Sequence, residues 1–66
     1  MQIRDLTQTQ IDYLDIVCNF TQDESTLFHL RAKNTPLEQI AEIMNRGIDS
    51  TKQLSRKVMD KIKREI

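Results

Sequence analysis

The sequence TPLEQIAEIMNRGIDSTKQLSRKVMDKIKR, residues 35–64, contains the clearest structural signal in the chain. Its apolar residues recur every three or four positions, the spacing that puts them on one face of an α-helix. The pattern breaks once, at residues 45–47, where an Asn and a Gly tolerate the positive φ of a sharp turn. The stripes before and after the break are Leu37, Ile40, Ala41 and Met44, and Thr51, Leu54, Val58 and Ile62. We therefore predict a helix-turn-helix over about residues 35–64.

Three helix-start signatures divide the rest of the chain. In a capping box, Ser or Thr is followed three positions later by Glu or Gln, and the two side chains bond two backbone N–H groups at the helix start. The three boxes are Thr7 with Gln10, Thr21 with Glu24, and Thr35 with Glu38. Pro36 is then predicted at the first position of the third helix, where its missing N–H costs nothing. We predict one all-α domain, residues 1–66, with four helices and a C-terminal helix-turn-helix.

Length and composition restrict the function. A chain of 66 residues makes one domain, and folding at this size buries only about 60% of the unfolded surface. The single Cys excludes an intrachain disulfide framework and a multi-cysteine zinc site. The single His has no nucleophile or paired carboxylate beside it in the sequence. We expect no enzyme activity, no catalytic residue, no metal site and no cofactor.

Membrane and export signals are also lacking in the sequence. No segment approaches the roughly 18 consecutive apolar residues that a membrane-spanning helix needs. The first ten residues, MQIRDLTQTQ, lack the basic region and apolar core of a signal peptide. We expect a cytoplasmic protein without a membrane partner, in which Cys18 is a reduced and buried thiol.

Charge is unevenly distributed along a chain of zero net charge. Residues 1–45 contain three Lys or Arg and seven Asp or Glu, and residues 46–66 contain seven and three. The two parts therefore carry net charges of −4 and +4. A basic part of a neutral chain can still attract an anionic partner locally.

The residues of the last helix that lie off its apolar stripe are suited to a DNA groove. Arg and Lys bind guanine edges and phosphates, Gln pairs with adenine, and Ser bonds either. These residues are Ser50, Lys52, Gln53, Arg56 and Lys57. We predict double-stranded DNA as the partner of this face.

Three motifs occur in order and without a gap from about residue 20 to residue 63. A leucine-rich helix ends in the pair Leu30–Arg31, and the next helix begins with Leu-Glu-x-Ile-Ala at residues 37–41. The final helix carries Leu54, Arg56, Lys57, Val58, Lys61 and Ile62. Together these motifs resemble region four of bacterial sigma factors, the domain that reads the −35 promoter element.

The resemblance implies a function and a set of contacts. The base-reading residues are Asp49, Ser50, Lys52, Gln53 and Arg56, and the phosphate contacts are Arg46, Lys57 and the amino end of helix three near Thr35. Asp49 is compatible with base reading, because a carboxylate accepts from cytosine. We expect a small sequence-specific transcription regulator with helix four in the major groove. Because 66 residues cannot contain a second sigma domain, the chain resembles the free-standing modules of phages or mobile elements, or a domain excised from a longer protein.

Two positions depart from the sigma pattern and leave the start of helix four open. Arg46 stands where the family often has Val or Ile, and Thr51 stands where it often has Val. In one interpretation Ile48, and not Thr51, supplies the first core-facing side chain of helix four, and Asp49 caps that helix.

A protein-interaction module is the alternative function, with RNA polymerase, a sigma factor or another regulator as its target. The zero net charge and the acidic first 45 residues favour this alternative. Tyr13 and Ile16 lie off the main stripe of helix one and are candidates for an exposed partner surface. That surface, or the end of the chain around Met59 and Ile66, is also the candidate interface of a homodimer, since helix-turn-helix modules often bind DNA as dimers.

Overall fold

Four α-helices follow one short 3₁₀ turn in the computed structural model, which describes residues 3–65 except for the side chain of Arg4. The 3₁₀ turn spans Ile3–Asp5. The helices are α1, Gln8–Val17; α2, Gln22–Ala32; α3, Leu37–Ile43; and α4, Ile48–Glu65. No strand occurs within residues 3–65, so the prediction of an all-α fold with four helices is confirmed. Ile66, which was assigned to a dimer surface above, lies outside the described residues.

Two of the three predicted capping boxes are formed. At the start of α1, Thr7 Oγ1 accepts from the Gln10 N–H at 3.2 Å, and Gln10 Oε1 accepts from the Thr7 N–H at 2.9 Å. The same pair of bonds joins Thr21 and Glu24 at the start of α2, again at 3.2 and 2.9 Å. These bonds satisfy backbone donors that the first turn of a helix leaves free.

The third predicted box is wrong, because α3 begins one residue later than expected. Pro36 occupies the N-cap with φ −62° and ψ 150°, an extended conformation, and no side chain bonds to this cap. Thr35 instead belongs to the turn that ends α2, where its N–H donates to Leu30 O at 3.1 Å. This backbone bond uses the Thr35 residue to close α2, so that it does not cap α3.

Asparagine turns the chain at the end of each of the first three helices. Asn19, Asn34 and Asn45 have φ values of 52°, 64° and 55°. Asn tolerates this left-handed region better than most residues, because its short polar side chain bonds locally. Gly47 has no positive φ, so the turn between α3 and α4 is made at Asn45.

The start of α4 differs from the interpretation in which Ile48 faces inward and Asp49 caps the helix. Ile48 is the first helical residue and is 38% exposed, and Asp49 lies within the first turn. Thr51 takes the inward place instead and is fully buried. Its hydroxyl donates to Gly47 O at 2.9 Å, so the buried oxygen is satisfied.

One apolar core holds the four helices together. The 3₁₀ turn, α1, α3 and α4 all pack against α2, and α4 also packs against α1 and α3. The largest completely buried apolar side chains are Phe28, Leu27, Ile40, Ile62 and Val58. Each such side chain contributes about 1.5–3 kcal/mol relative to an exposed position. The core therefore fixes α4 along its length and determines which of its faces meets solvent.

None of the described helices combines the length and the apolar character needed to cross a membrane.

Candidate nucleic-acid interface

The inward stripe of α4 determines which of its residues face solvent. Thr51, Leu54, Val58 and Ile62 are buried at intervals of three and four residues. Since successive residues of an α-helix are rotated by about 100°, most of the residues between them point away from the core, whereas Met59 and Lys61 are partly buried at its edges. The exposed residues on this outward side are Asp49, Lys52, Gln53, Arg56, Lys57, Asp60, Lys63 and Arg64. We call this set the α4 outer face.

Five of the seven predicted site residues are exposed on the α4 outer face: Asp49, Lys52, Gln53, Arg56 and Lys57. Within the described part of the chain, the side chains of Lys52, Arg56 and Lys57 form no hydrogen bond or ion pair. Their charges are therefore open to a ligand in solvent. The arrangement can bind an anion along about two turns of the helix, and Gln53 adds an amide that both donates and accepts.

Arg46 bonds both Ser50 of α4 and Asp23 of α2. Arg46 Nη1 donates to Ser50 Oγ at 2.7 Å, and Arg46 Nη2 pairs with Asp23 Oδ2 at 2.9 Å. The two residues thus link the first turn of α2 with the first turn of α4. Predicted as a phosphate contact, Arg46 already has a carboxylate partner in this structure.

Thr35, the remaining predicted phosphate contact, is half-buried in the turn before α3. Its carbonyl oxygen accepts from Arg31 Nη1 at 3.2 Å. Glu38, in the first turn of α3, is exposed close by in sequence and brings a negative charge to this end of the helix. The Thr35 carbonyl therefore has a structural partner in Arg31.

A partly buried ion pair between α4 and α2 is not predictable from the sequence. Lys61 Nζ lies 2.6 Å from Glu24 Oε1 and also donates to Asn19 O at 3.4 Å. Glu24 is only 4% exposed. Burial raises the pKa of Glu24, but hydrogen bonds from Lys61 and Thr21 and the charge of Lys61 outweigh it, so the pKa lies below its ordinary value. The pair holds the carboxyl half of α4 against the start of α2.

Cys18 lies beside the same contact and is buried, as predicted. Its thiol donates to Lys61 O at 3.6 Å. Burial, followed by the charge of Glu65, raises the pKa of the Cys18 thiol despite the opposing charge of Lys61. A thiol with a raised pKa is a weak nucleophile, and its position favours a packing role.

His29, the single histidine, belongs to a polar contact between α1 and α2. His29 Nε2 lies 3.3 Å from Asp15 Oδ2, and Ser25 Oγ donates to Asp15 Oδ1 at 3.0 Å. Ser25 thus bonds the Asp15 carboxylate and not the His29 imidazole. A histidine that acts as general base for a serine nucleophile has to bond the serine hydroxyl itself. The three side chains tie the two helices together.

No known protein family matches the chain, and no curated protein or solved structure matches it significantly. The resemblance to sigma region four accordingly rests on the motifs quoted from the sequence. The fold and the exposed residues of α4 are the observations from which a function is inferred.

Proposed function

We propose that the protein is a small sequence-specific DNA-binding transcription regulator that places α4 in the major groove. The observation that carries the proposal is the exposure of Lys52, Gln53 and Arg56, without partners in the described structure, on a helix whose other side is in the core. A major groove about 12 Å wide accepts an α-helix of about 10–12 Å diameter.

The spacing of these three residues suits adjacent base pairs. Residues three and four apart on a helix have Cβ atoms about 5–6 Å from each other. Arg56 therefore neighbours both Lys52 and Gln53 on the helix surface. Since base pairs stack about 3.4 Å apart, the three side chains can reach two neighbouring pairs. Arg and Lys recognise guanine O6 and N7, and Gln recognises adenine N6 and N7.

The remaining charges of the α4 outer face supply contacts that do not depend on sequence. Lys57 lies beside the base-reading residues, and Lys63 and Arg64 follow two turns later. Cations at such positions bind phosphates and fix the register of a helix on the duplex. Asp49 lies in the first turn of α4, where its negative charge interacts favourably with the helix dipole. Its carboxylate can accept a hydrogen bond from cytosine N4.

The proposal is tested by selecting preferred duplexes from a random pool and then measuring affinities by fluorescence anisotropy. Replacing Arg56 by Ala should cost about 1–3 kcal/mol of discrimination at one base pair of the selected site. Lys33→Ala is the matched control, because it removes one exposed cation from the α2–α3 turn. We expect it to retain the discrimination of the unaltered protein.

Two results would contradict DNA reading by α4. In one, the selection enriches no sequence. In the other, Lys33→Ala loses as much base discrimination as Arg56→Ala. A Lys52→Ala variant provides a second measurement at the neighbouring position and should affect a different base contact.

A further inference from the structure

The outward side of α1 is a surface to which the proposed DNA binding assigns no role. The inner side of α1 packs into the core through Ile11, Leu14 and the C-cap residue Cys18. The outer side is formed by Thr9, Asp12, Tyr13 and Ile16, all exposed, and we call it the α1 ridge. No residue of α4 belongs to it, so an occupant of the ridge does not compete for the residues proposed to contact DNA.

Two neighbouring apolar side chains stand out on the α1 ridge. Tyr13 is 56% exposed and Ile16 is 79% exposed. Single exposed apolar residues are common on protein surfaces. Tyr13 and Ile16 are three residues apart on one helix, however, and so form a continuous patch. Removing such a patch from water favours association with a partner.

The charge around the α1 ridge is negative. Residues 5–30 contain five Asp or Glu and no Lys or Arg. Three of these carboxylates are already paired with side chains of other helices: Asp15 with His29, Asp23 with Arg46, and Glu24 with Lys61. In the described structure Asp12 receives only the neutral amide of Gln8, at 3.0 Å. An unneutralised carboxylate thus lies directly beside the apolar patch.

We propose that the α1 ridge docks a protein segment that combines exposed apolar side chains with Lys or Arg. The apolar patch requires burial against apolar groups, and Asp12 requires a cation at the edge of the contact. An anionic lipid surface fails the second requirement, because it repels Asp12. This proposal goes beyond DNA binding, and the two can hold together.

A second copy of the chain fits the ridge poorly. A two-fold contact of one α1 ridge with another brings two Asp12 carboxylates to the same interface, and like charges there are unfavourable. The basic α4 of a second copy supplies cations, but within its described residues it offers one exposed large apolar side chain, Ile48 in the first turn, against the pair on the ridge. The observations therefore favour a different protein as the occupant.

The experiment uses the whole protein and two synthetic amphipathic helical peptides with the same leucine pattern. One peptide carries Lys beside the leucines, and the other carries Glu. We expect the Lys peptide to shift the backbone amide signals of residues 9–17 in NMR spectra, and the Glu peptide to leave them unchanged. Ile16→Ser should reduce the affinity for the Lys peptide by at least about tenfold. Asp12→Asn should reduce this affinity by a smaller factor and should remove most of the salt dependence of Lys-peptide binding.

The control variant is Ile43→Ser, which changes an isoleucine with 56% exposure outside the ridge. We expect it to bind the Lys peptide as the unaltered protein does. The proposal is overturned if both peptides bind equally, if neither binds, or if Ile43→Ser loses as much affinity as Ile16→Ser. Self-association that Ile16→Ser abolishes in sedimentation equilibrium also overturns it, in favour of a second copy. Duplex DNA affinity should be the same for Ile16→Ser and the unaltered protein, which separates this test from that of DNA binding.

Discussion

Among the individual side chains, Glu24 does two jobs at once. Its carboxylate closes the capping box of α2 and pairs with Lys61 of α4 at 2.6 Å. The first role was readable from the local pattern Thr-x-x-Glu. The second joins residues 37 positions apart, and no local pattern carries that information. The same holds for Arg46 and Asp23, which are 23 positions apart.

The Glu24–Lys61 pair makes stability depend on pH. Glu24→Gln keeps a side chain that can close the capping box and removes only the charge. We expect it to lower the free energy of unfolding at neutral pH by about 1–3 kcal/mol, because Lys61 loses its charged partner. Urea unfolding followed by circular dichroism measures the loss. Glu42→Gln is the control, since it neutralises an exposed carboxylate on α3 and should change stability little.

The direction of the pH effect follows from the lowered pKa of Glu24. A carboxyl group with a depressed pKa in the folded state stabilises the protein above its unfolded pKa. The stability difference between the unaltered protein and Glu24→Gln should therefore be complete above the ordinary glutamate value of 4.5. It should decrease as the pH falls below that value, through the pKa of the folded state. A difference that is the same at pH 3 and pH 7 contradicts a charged pair.

At the level of helices and turns, local chemistry explains most of what was predictable. The starts of α1 and α2 were predicted because the capping bonds lie within four consecutive residues. The start of α3 was misplaced because the turn that ends α2 competes for Thr35, and Pro36 stays extended. The start of α4 was left open because burial of Thr51 depends on the core and not on its neighbours in sequence.

The turn between α3 and α4 depends on Asn45. Its φ of 55° lets two bonds close the end of α3, from the Asn45 N–H to Glu42 O at 3.1 Å and from the Arg46 N–H to Ala41 O at 2.9 Å. These are the two bonds of a Schellman motif. The turn sets the direction in which α4 leaves α3, and therefore the position of the α4 outer face.

Substitutions at Asn45 test this role of the turn. Asn45→Ala should reduce the free energy of unfolding by about 1 kcal/mol, because Ala tolerates the left-handed region less well than Asn does. Asn45→Gly removes the Cβ and should be close to the unaltered protein. Thermal and urea unfolding give both values. Equal losses in the two variants would show that the backbone conformation at this position is not what matters.

Viewed as a whole, the molecule presents two surfaces of opposite charge. The α4 outer face carries five exposed cations and two exposed carboxylates, and the α1 ridge carries an unneutralised carboxylate beside an apolar patch. The exposure of Lys52, Gln53, Arg56, Tyr13 and Ile16 was predictable, because helical periodicity separates the core face from the solvent face. The partners of Arg46 and Lys61 were not, since tertiary packing brings them together.

The dependence of duplex affinity on salt examines whether the α4 outer face binds phosphates and bases. If three to five cations of this face contact phosphates, the plot of log affinity against log salt concentration should be linear with a slope of about −3 to −5. Lys57→Ala should reduce the steepness by about 1. Absence of duplex binding, or an affinity that is unchanged between low and moderate salt, would contradict the proposed function.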